Sequence, residues 1–252
     1  MRRLLSLLLI PAAALSLSAR ADTIKVLTAG AFKQIVVSAA PAFEAATGHK
    51  LDIQNDTAGA LSKRIADGER FDLVVLTTGA LQALGTSGRV VPASITPLAR
   101  VAIGVAVKAG APEPKIDTVD DFKQALLAAR KVAYIDPASG GSSGIYLDGL
   151  FQRMGIADAI KAKAVLVPGG LVAERVVSGE ADLAVHQVSE ILPVAGASFV
   201  GVLPAEIQNY TTYGGGVASD SAHAQAARTL LTALASPDAA ETLRAKGMTP
   251  PQ

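Results

Sequence analysis

From residue 23 onward, short apolar runs alternate with longer stretches in which apolar residues recur every three or four positions. The first pattern predicts strands buried on both faces, and the second predicts amphipathic helices. The expected order opens with a strand over 23–27, a helix over 32–47 stopped by Gly48, and a strand over 50–54. A short helix over 61–67, a strand over 72–76 and a helix over 80–87 follow. Past a connection containing Pro92 and Pro97, a long apolar strand runs over 101–107. A helix over 119–129, a strand over 131–135, a helix over 145–154 and a strand over 165–167 come next. The pattern continues with a helix over 171–178 and strands over 183–186 and 199–203. A Tyr/Thr-rich stretch over 210–217 and two helices, 222–234 and 239–246, complete it. This alternation predicts parallel α/β architecture. We read two lobes: residues 22–100 plus 205–252 in one, residues 101–204 in the other, with the chain crossing at 101–107 and returning near 210–217. The run Gly214-Gly215-Gly216 reads as a bend or hinge, because glycine reaches backbone angles closed to other residues.

Residues 1–21 have the form of an export signal. Arg2 and Arg3 precede an apolar run over 4–17, and Ala19-Arg20-Ala21 ends it as an A-x-A cleavage pattern. The paired arginines also fit a twin-arginine route, but the rest of that pattern is weak and ordinary secretion is the expectation. Later apolar runs fall short of the roughly 20 residues a spanning helix needs, so a soluble periplasmic product is expected. The chain has no cysteine, which excludes a lipid-anchored cysteine, a disulfide framework and cysteine metal sites. Cleavage after residue 21 lowers the Lys+Arg count from 23 to 20 against 22 Asp+Glu. No basic block or aromatic stripe suits nucleic acid, which is excluded as a partner.

Candidate chemistry concentrates in the loops between strand ends and helix starts, where parallel α/β proteins place their ligands. The most informative is the stretch from Tyr134 to Tyr146, a strand that breaks into Asp136-Pro137-Ala138-Ser139-Gly140-Gly141-Ser142-Ser143-Gly144 before a helix. The first turn of a helix leaves N–H groups unpaired and partly positive, so small hydroxyl-rich residues there can wrap an anion without a lysine. The same composition also makes an ordinary N-capped turn. Similar loops are Thr28-Ala29-Gly30-Ala31, Asp56-Thr57-Ala58-Gly59 and Pro168-Gly169-Gly170, and His186-Gln187 ends an apolar strand. Their convergence points to one shared anion site.

His186 can donate to a carboxylate or act as a general acid or base near neutral pH; the alternative is a histidine that only hydrogen-bonds at a strand end. His49 and His223 fall among surface-helix residues and look solvated, and three scattered histidines make no metal constellation, so no metal or cofactor is expected. Glu190, Glu206 and Asp136 rank below His186 because acidic residues are usually solvated. Tyr146, Tyr210 and Tyr213 are hydroxyl donors or core residues with a wet edge. No Lys follows the glycines as a P-loop requires, Gly141-Ser142-Ser143-Gly144 lacks nucleophile-elbow spacing, and G-x-G-x-x-G is missing after the first strand.

The first strand with its small-residue loop, Thr57-Ala58-Gly59-Ala60-Leu61, the stretch 68–76, Ser143-Gly144-Ile145-Tyr146 and Gly179-Glu180-Ala181-Asp182-Leu183 together resemble periplasmic molybdate-binding proteins of ABC transporters. The resemblance covers essentially the whole mature chain. It implies the two-lobed class II periplasmic binding fold with the ligand cleft between lobes, a monomer, and a small anion handed to a membrane permease. The matching loops depart from the molybdate pattern. Ala29-Gly30-Ala31 stands where that family offers a serine, and Gln187, beside His186, stands where it has a tyrosine. Gln and His suit planar carboxylates better than a tetrahedral oxyanion. These departures are similar to the branch of this fold that includes aconitate isomerase, which implies a cofactor-free allylic proton shift on a small polycarboxylate. On that resemblance His186 is the base. Thr28, Gly30, Ala31, Thr57, Ala58, Gly59, Ser142, Ser143, Gly144, Tyr146 and Gln187 hold substrate, with Lys33 or Arg64 balancing charge. An ABC-transporter binding protein for molybdate or another oxyanion is the alternative.

Overall fold

The structure, a computed structural model, describes residues 21–251. Except for Ala21, the export signal therefore lies outside the described residues. The elements begin β1 (Thr23–Ala29), α1 (Gly30–Thr47), β2 (Lys50–Asp56), α2 (Ala58–Ala66), β3 (Leu73–Thr77), α3 (Thr78–Thr86) and β4 (Thr96–Lys108). They continue with α4 (Val119–Ala128), β5 (Val132–Ile135), α5 (Ser142–Arg153), α6 (Ala157–Lys161), β6 (Ala164–Val167), α7 (Glu174–Val177), β7 (Leu183–Gln187) and α8 (Val188–Ile191). The last are β8 (Ala197–Val202), β9 (Tyr210–Val217), α9 (Ala224–Leu234), α10 (Ala239–Ala245) and β10 (Met248–Thr249).

The strands run β2-β1-β3-β9-β4-β7-β5-β6, with β8 and β10 also paired to β4. Pairing is parallel among β2, β1 and β3 and among β7, β5 and β6, the two regions where helices connect successive strands. Between them it is antiparallel, so the sheet is mixed rather than parallel throughout. The reason is β4. Its first half pairs with β9 and its second half with β7 and β8, so a single 13-residue strand serves both ends of the sheet. A register shift between Pro97 and Ala99 lets the strand begin earlier than the sequence pattern indicates despite a proline that has no N–H to donate.

The apolar interior divides around this strand. One core draws on residues 24–101 and 213–248, together with Val188, and includes Phe32, Leu61, Leu73 and Leu230. Two others, around Phe122 and Phe151 and around Val172 and Val176, draw on residues 103–203. Helix α9 buries Ala227, Leu230, Leu231 and Leu234, a one-face spacing, against α1 and β9.

The glycine run is a correction to the sequence reading. Gly214, Gly215 and Gly216 lie inside β9, each paired with β3, and none has a positive φ. A Cβ on them would stand 2.8 Å from Thr96 O, 2.5 Å from Leu231 Cδ1 and 2.6 Å from Val90 Cγ1. Close packing, rather than hinge freedom, is what these positions require. The short elements α6, α8 and β10 carry no legible pattern, because two to five residues are too few to display a period.

Candidate functional site

The carboxyl-terminal ends of β1, β2, β5 and β7 open onto one small cavity of about 30 Å³. The loop after β1 supplies Ala29, Gly30 and Ala31, and the loop after β2 supplies Asn55, Asp56, Thr57 and Ala58. Across from them stand Ile135, Gly141, Ser142, Ser143 and Gly170, then His186 and Gln187 from the end of β7, Glu190 from α8 and Tyr213 from β9. No lysine or arginine lines the cavity. Positive potential comes instead from helix starts: α1 and α5, 18 and 12 residues long, both begin at the cavity, and neither has a side chain capping its first turn. Their unpaired N–H groups are the acceptor-seeking groups an anion would meet. Helix α2 differs, since Thr57 Oγ1 accepts from Ala60 N.

Two strands of contact close the cavity across the cleft. Thr57 Oγ1 donates to Ser139 O at 2.6 Å, and Gly59 N donates to Gly140 O at 3.1 Å. A Cβ on Gly59 would stand 2.6 Å from Gly140 Cα, and one on Gly140 would stand 2.6 Å from Gly59 Cα. The two backbones meet only because both residues are glycine.

Inside, Gln187 Nε2 donates to Ser142 Oγ at 3.0 Å and to Tyr213 Oη at 2.9 Å, and the two hydroxyls lie 3.3 Å apart. This triangle joins three elements and leaves each polar atom with a partner. Burial, then the Glu190 charge, raises the Tyr213 phenol further above its already high value, so it stays a neutral donor. Beside the triangle, His186 and Glu190 are 2% and 7% exposed. His186 Nε2 lies 3.3 Å from Glu190 Oε2, while His186 Nδ1 is buried with no hydrogen-bond partner. Burial without a compensating charge pushes the imidazole down to about 3 and the carboxyl up to about 8. Both groups are therefore uncharged at neutral pH. Among the described residues no cluster of His, Asp and Glu could hold a metal ion.

Of the residues proposed from sequence, Gly30, Ala31, Thr57, Ala58, Ser142, Ser143, His186 and Gln187 line the cavity. Four do not. Thr28 is fully buried in β1 and its hydroxyl bonds to Ala29 O. Gly59 is occupied by the Gly140 contact, and Gly144 is pressed on the Ile135 carbonyl. Tyr146 faces the neighbouring groove, its hydroxyl donating to Ile207 O at 2.6 Å. Arg64 is absorbed by Glu69, and neither it nor Lys33 lines the cavity. His49 and His223 are half-buried rather than solvated; His49 Nδ1 accepts from Asp22 N and His223 lies 3.7 Å from Asp22. Glu206 is exposed, and Asp136 caps its own turn by accepting from Ala138 N. Glu190, expected to be solvated, is instead buried in the cavity lining. Its spacing of four from His186, across a strand-to-helix junction, is the signal that would have found it. Asn55 and Ile135 carried none.

A mixed, curled α/β sheet with a cavity at the strand ends defines a two-lobed solute-binding fold. Solved structures that share it include the following two. A periplasmic molybdate-binding protein of Azotobacter vinelandii aligns with a TM-score of 0.76 at 21% identity, covering 91% of this chain and all of that one. A sulfate-binding protein of Mycobacterium tuberculosis aligns at 0.72 and 20% identity, covering 91% and 87%. The chain belongs to the bacterial extracellular solute-binding protein family, which it matches over residues 24–249. It is also 41% identical over 234 residues to an aconitate isomerase from a Pseudomonas species, covering 90% of this chain and 88% of that protein. No helix among the described residues is long and apolar enough to cross a membrane.

Proposed function

We propose that this protein is a cofactor-independent isomerase of a small polycarboxylate, interconverting trans- and cis-aconitate. The observation that carries the reading is the 41% identity to an aconitate isomerase over nine-tenths of the chain. Moving the double bond removes a proton from the substrate methylene, and the released electron pair forms the new C=C. The old π pair takes a proton at the former vinyl carbon, so no proton is consumed and one base can serve both steps. His186 is that base: it is buried in the cavity, and its Nδ1 has no protein partner. The amides at the starts of α1 and α5 face the charge that spreads onto a carboxylate, and Ser142, Gln187 and Tyr213 orient the rest.

Residues 22–100 with 205–252 form one lobe and residues 101–204 the other, and substrate enters when the Thr57–Ser139 and Gly59–Gly140 bonds part. The grouping of the apolar cores supports this division, with Val188 of the second segment reaching into the first core. Residues 1–21 direct export, and the monomeric mature protein works in the periplasm. The alternative, a binding protein that hands an oxyanion to a permease, is favoured by the likeness to molybdate- and sulfate-binding folds. Purified mature protein incubated with trans-aconitate, without added metal or cofactor, should yield cis-aconitate by chromatography. No conversion, together with a thermal shift on adding molybdate, would move the protein to the transport class.

A further inference from the structure

We propose that Glu190 is a positioning residue that selects the tautomer of His186, so that release of its proton leaves Nε2–H facing Glu190 and Nδ1 free as the base. The inference rests on the isomerase reading above but stands on its own geometry. Three observations meet at this pair. The Glu190 carboxyl sits with one oxygen 3.3 Å from His186 Nε2. Its other oxygen occupies the place of a side chain at Gly30, where a Cβ would come within 2.5 Å of Oε1. Gly30 is the first residue of α1, whose uncapped start favours negative charge on that oxygen. The third observation is the unpartnered Nδ1. Leaving a buried ring nitrogen without a hydrogen bond is costly, and a substrate in the cavity is what would relieve it.

The two nitrogens are linked through the ring. When the carboxyl is protonated, it donates to Nε2 and the ring proton must sit on Nδ1, which then is a donor and no base. When the carboxyl is ionised, it accepts from Nε2–H and Nδ1 carries a lone pair. Glu190 therefore controls whether His186 can remove a carbon-bound proton. No other titratable group is placed to do so. In the cavity only Asp56 and Tyr213 titrate besides the pair; Asp56 Oδ1 accepts from Thr57 N, and the Tyr213 hydroxyl is held by Gln187. The elements packed on α8 are β4, α1, β7 and β8. Their remaining charged groups, Arg100 and Lys108 of β4 and Lys33 and Glu44 of α1, lie off the cavity lining, and β8 has none.

The test reads the imidazole directly. Ring-nitrogen spectra of 15N-histidine-labelled protein, simplified by His49→Gln and His223→Gln, should show the His186 proton on Nδ1 at pH 6 and on Nε2 at pH 9. In Glu190→Gln the change should vanish. A single tautomer across this range, or a switch that survives the substitution, would overturn the proposal whether or not the protein turns over aconitate. The kinetic arm follows turnover of trans-aconitate. In the wild type kcat should rise with pH through the same transition. Glu190→Gln should flatten the profile and lower kcat about 100-fold with KM nearly unchanged, and Glu190→Asp should restore part of both. Absence of turnover in the wild type would sink the isomerase reading and leave the tautomer measurement to decide the role of Glu190.

Discussion

Two groups of polar side chains share the cavity, and they are built in opposite ways. The Ser142–Gln187–Tyr213 triangle closes on itself, with donors and acceptors matched at 2.9 to 3.3 Å across three elements. The His186–Glu190 pair spans a single strand-to-helix junction, keeps one ring nitrogen without a partner, and is held uncharged by burial. A satisfied network rigidifies and recognises. An unsatisfied one stores a reactive atom at a cost in stability, which is tolerated where chemistry needs it. On the proposed isomerase reading, the contrast gives recognition to the triangle and proton transfer to the pair.

Removing the base breaks the contrast most sharply. His186→Ala should lower turnover of trans-aconitate by about 10³-fold while its Kd by calorimetry stays within about threefold. Equal losses in both would make His186 part of recognition. Next comes the clasp that closes the cavity over both groups. Gly59→Ala puts a Cβ into the Gly140 backbone, so the lobes should close less completely and KM should rise about tenfold, with the fold intact by circular dichroism. An unchanged KM would mean that the clasp does not gate the site. Tyr213→Phe deletes one vertex of the triangle and should weaken binding by about fivefold, near the net value of one hydrogen bond, with kcat little altered. A large fall in kcat instead would move Tyr213 to the chemical step.

The smallest effect is on stability. Glu190 holds its proton up to about pH 8 when folded but only to its ordinary 4.5 when unfolded, so its contribution is lost as pH rises across that interval. His186 has the opposite sign: the unfolded chain takes up a proton below about 6.5 that the folded one refuses until about 3, so its contribution is lost as pH falls. The two oppose each other between 4.5 and 6.5. Above 6.5 only the Glu190 effect remains, and the Tm of the wild type should fall by a few degrees toward pH 8, whereas Glu190→Gln should stay flat over that range. Parallel curves would place the buried proton elsewhere.

Local patterns in the sequence determined much of this protein. The apolar runs of β1, β3 and β7, the three- and four-residue spacing in α9, and the stop at Gly48 each follow from a few consecutive residues, and so does the expectation that strand ends meet helix starts at an anion site. His186 and Gln187 were legible because they end an apolar run. Only the tertiary structure decided which loops face each other. That β4 belongs to both ends of the sheet, that three consecutive glycines pack inside β9, that Gly59 needs Gly140, and that Thr28 and Tyr146 point away from the cavity are all contacts between distant segments. Glu190 illustrates the boundary. Its distance along the chain from His186 was in plain view, but its burial, and hence its charge state, depends on the walls that α1, β4 and β7 build around it. Periodicity reports how one segment meets an interior; the partner groups and the local dielectric belong to the assembled fold.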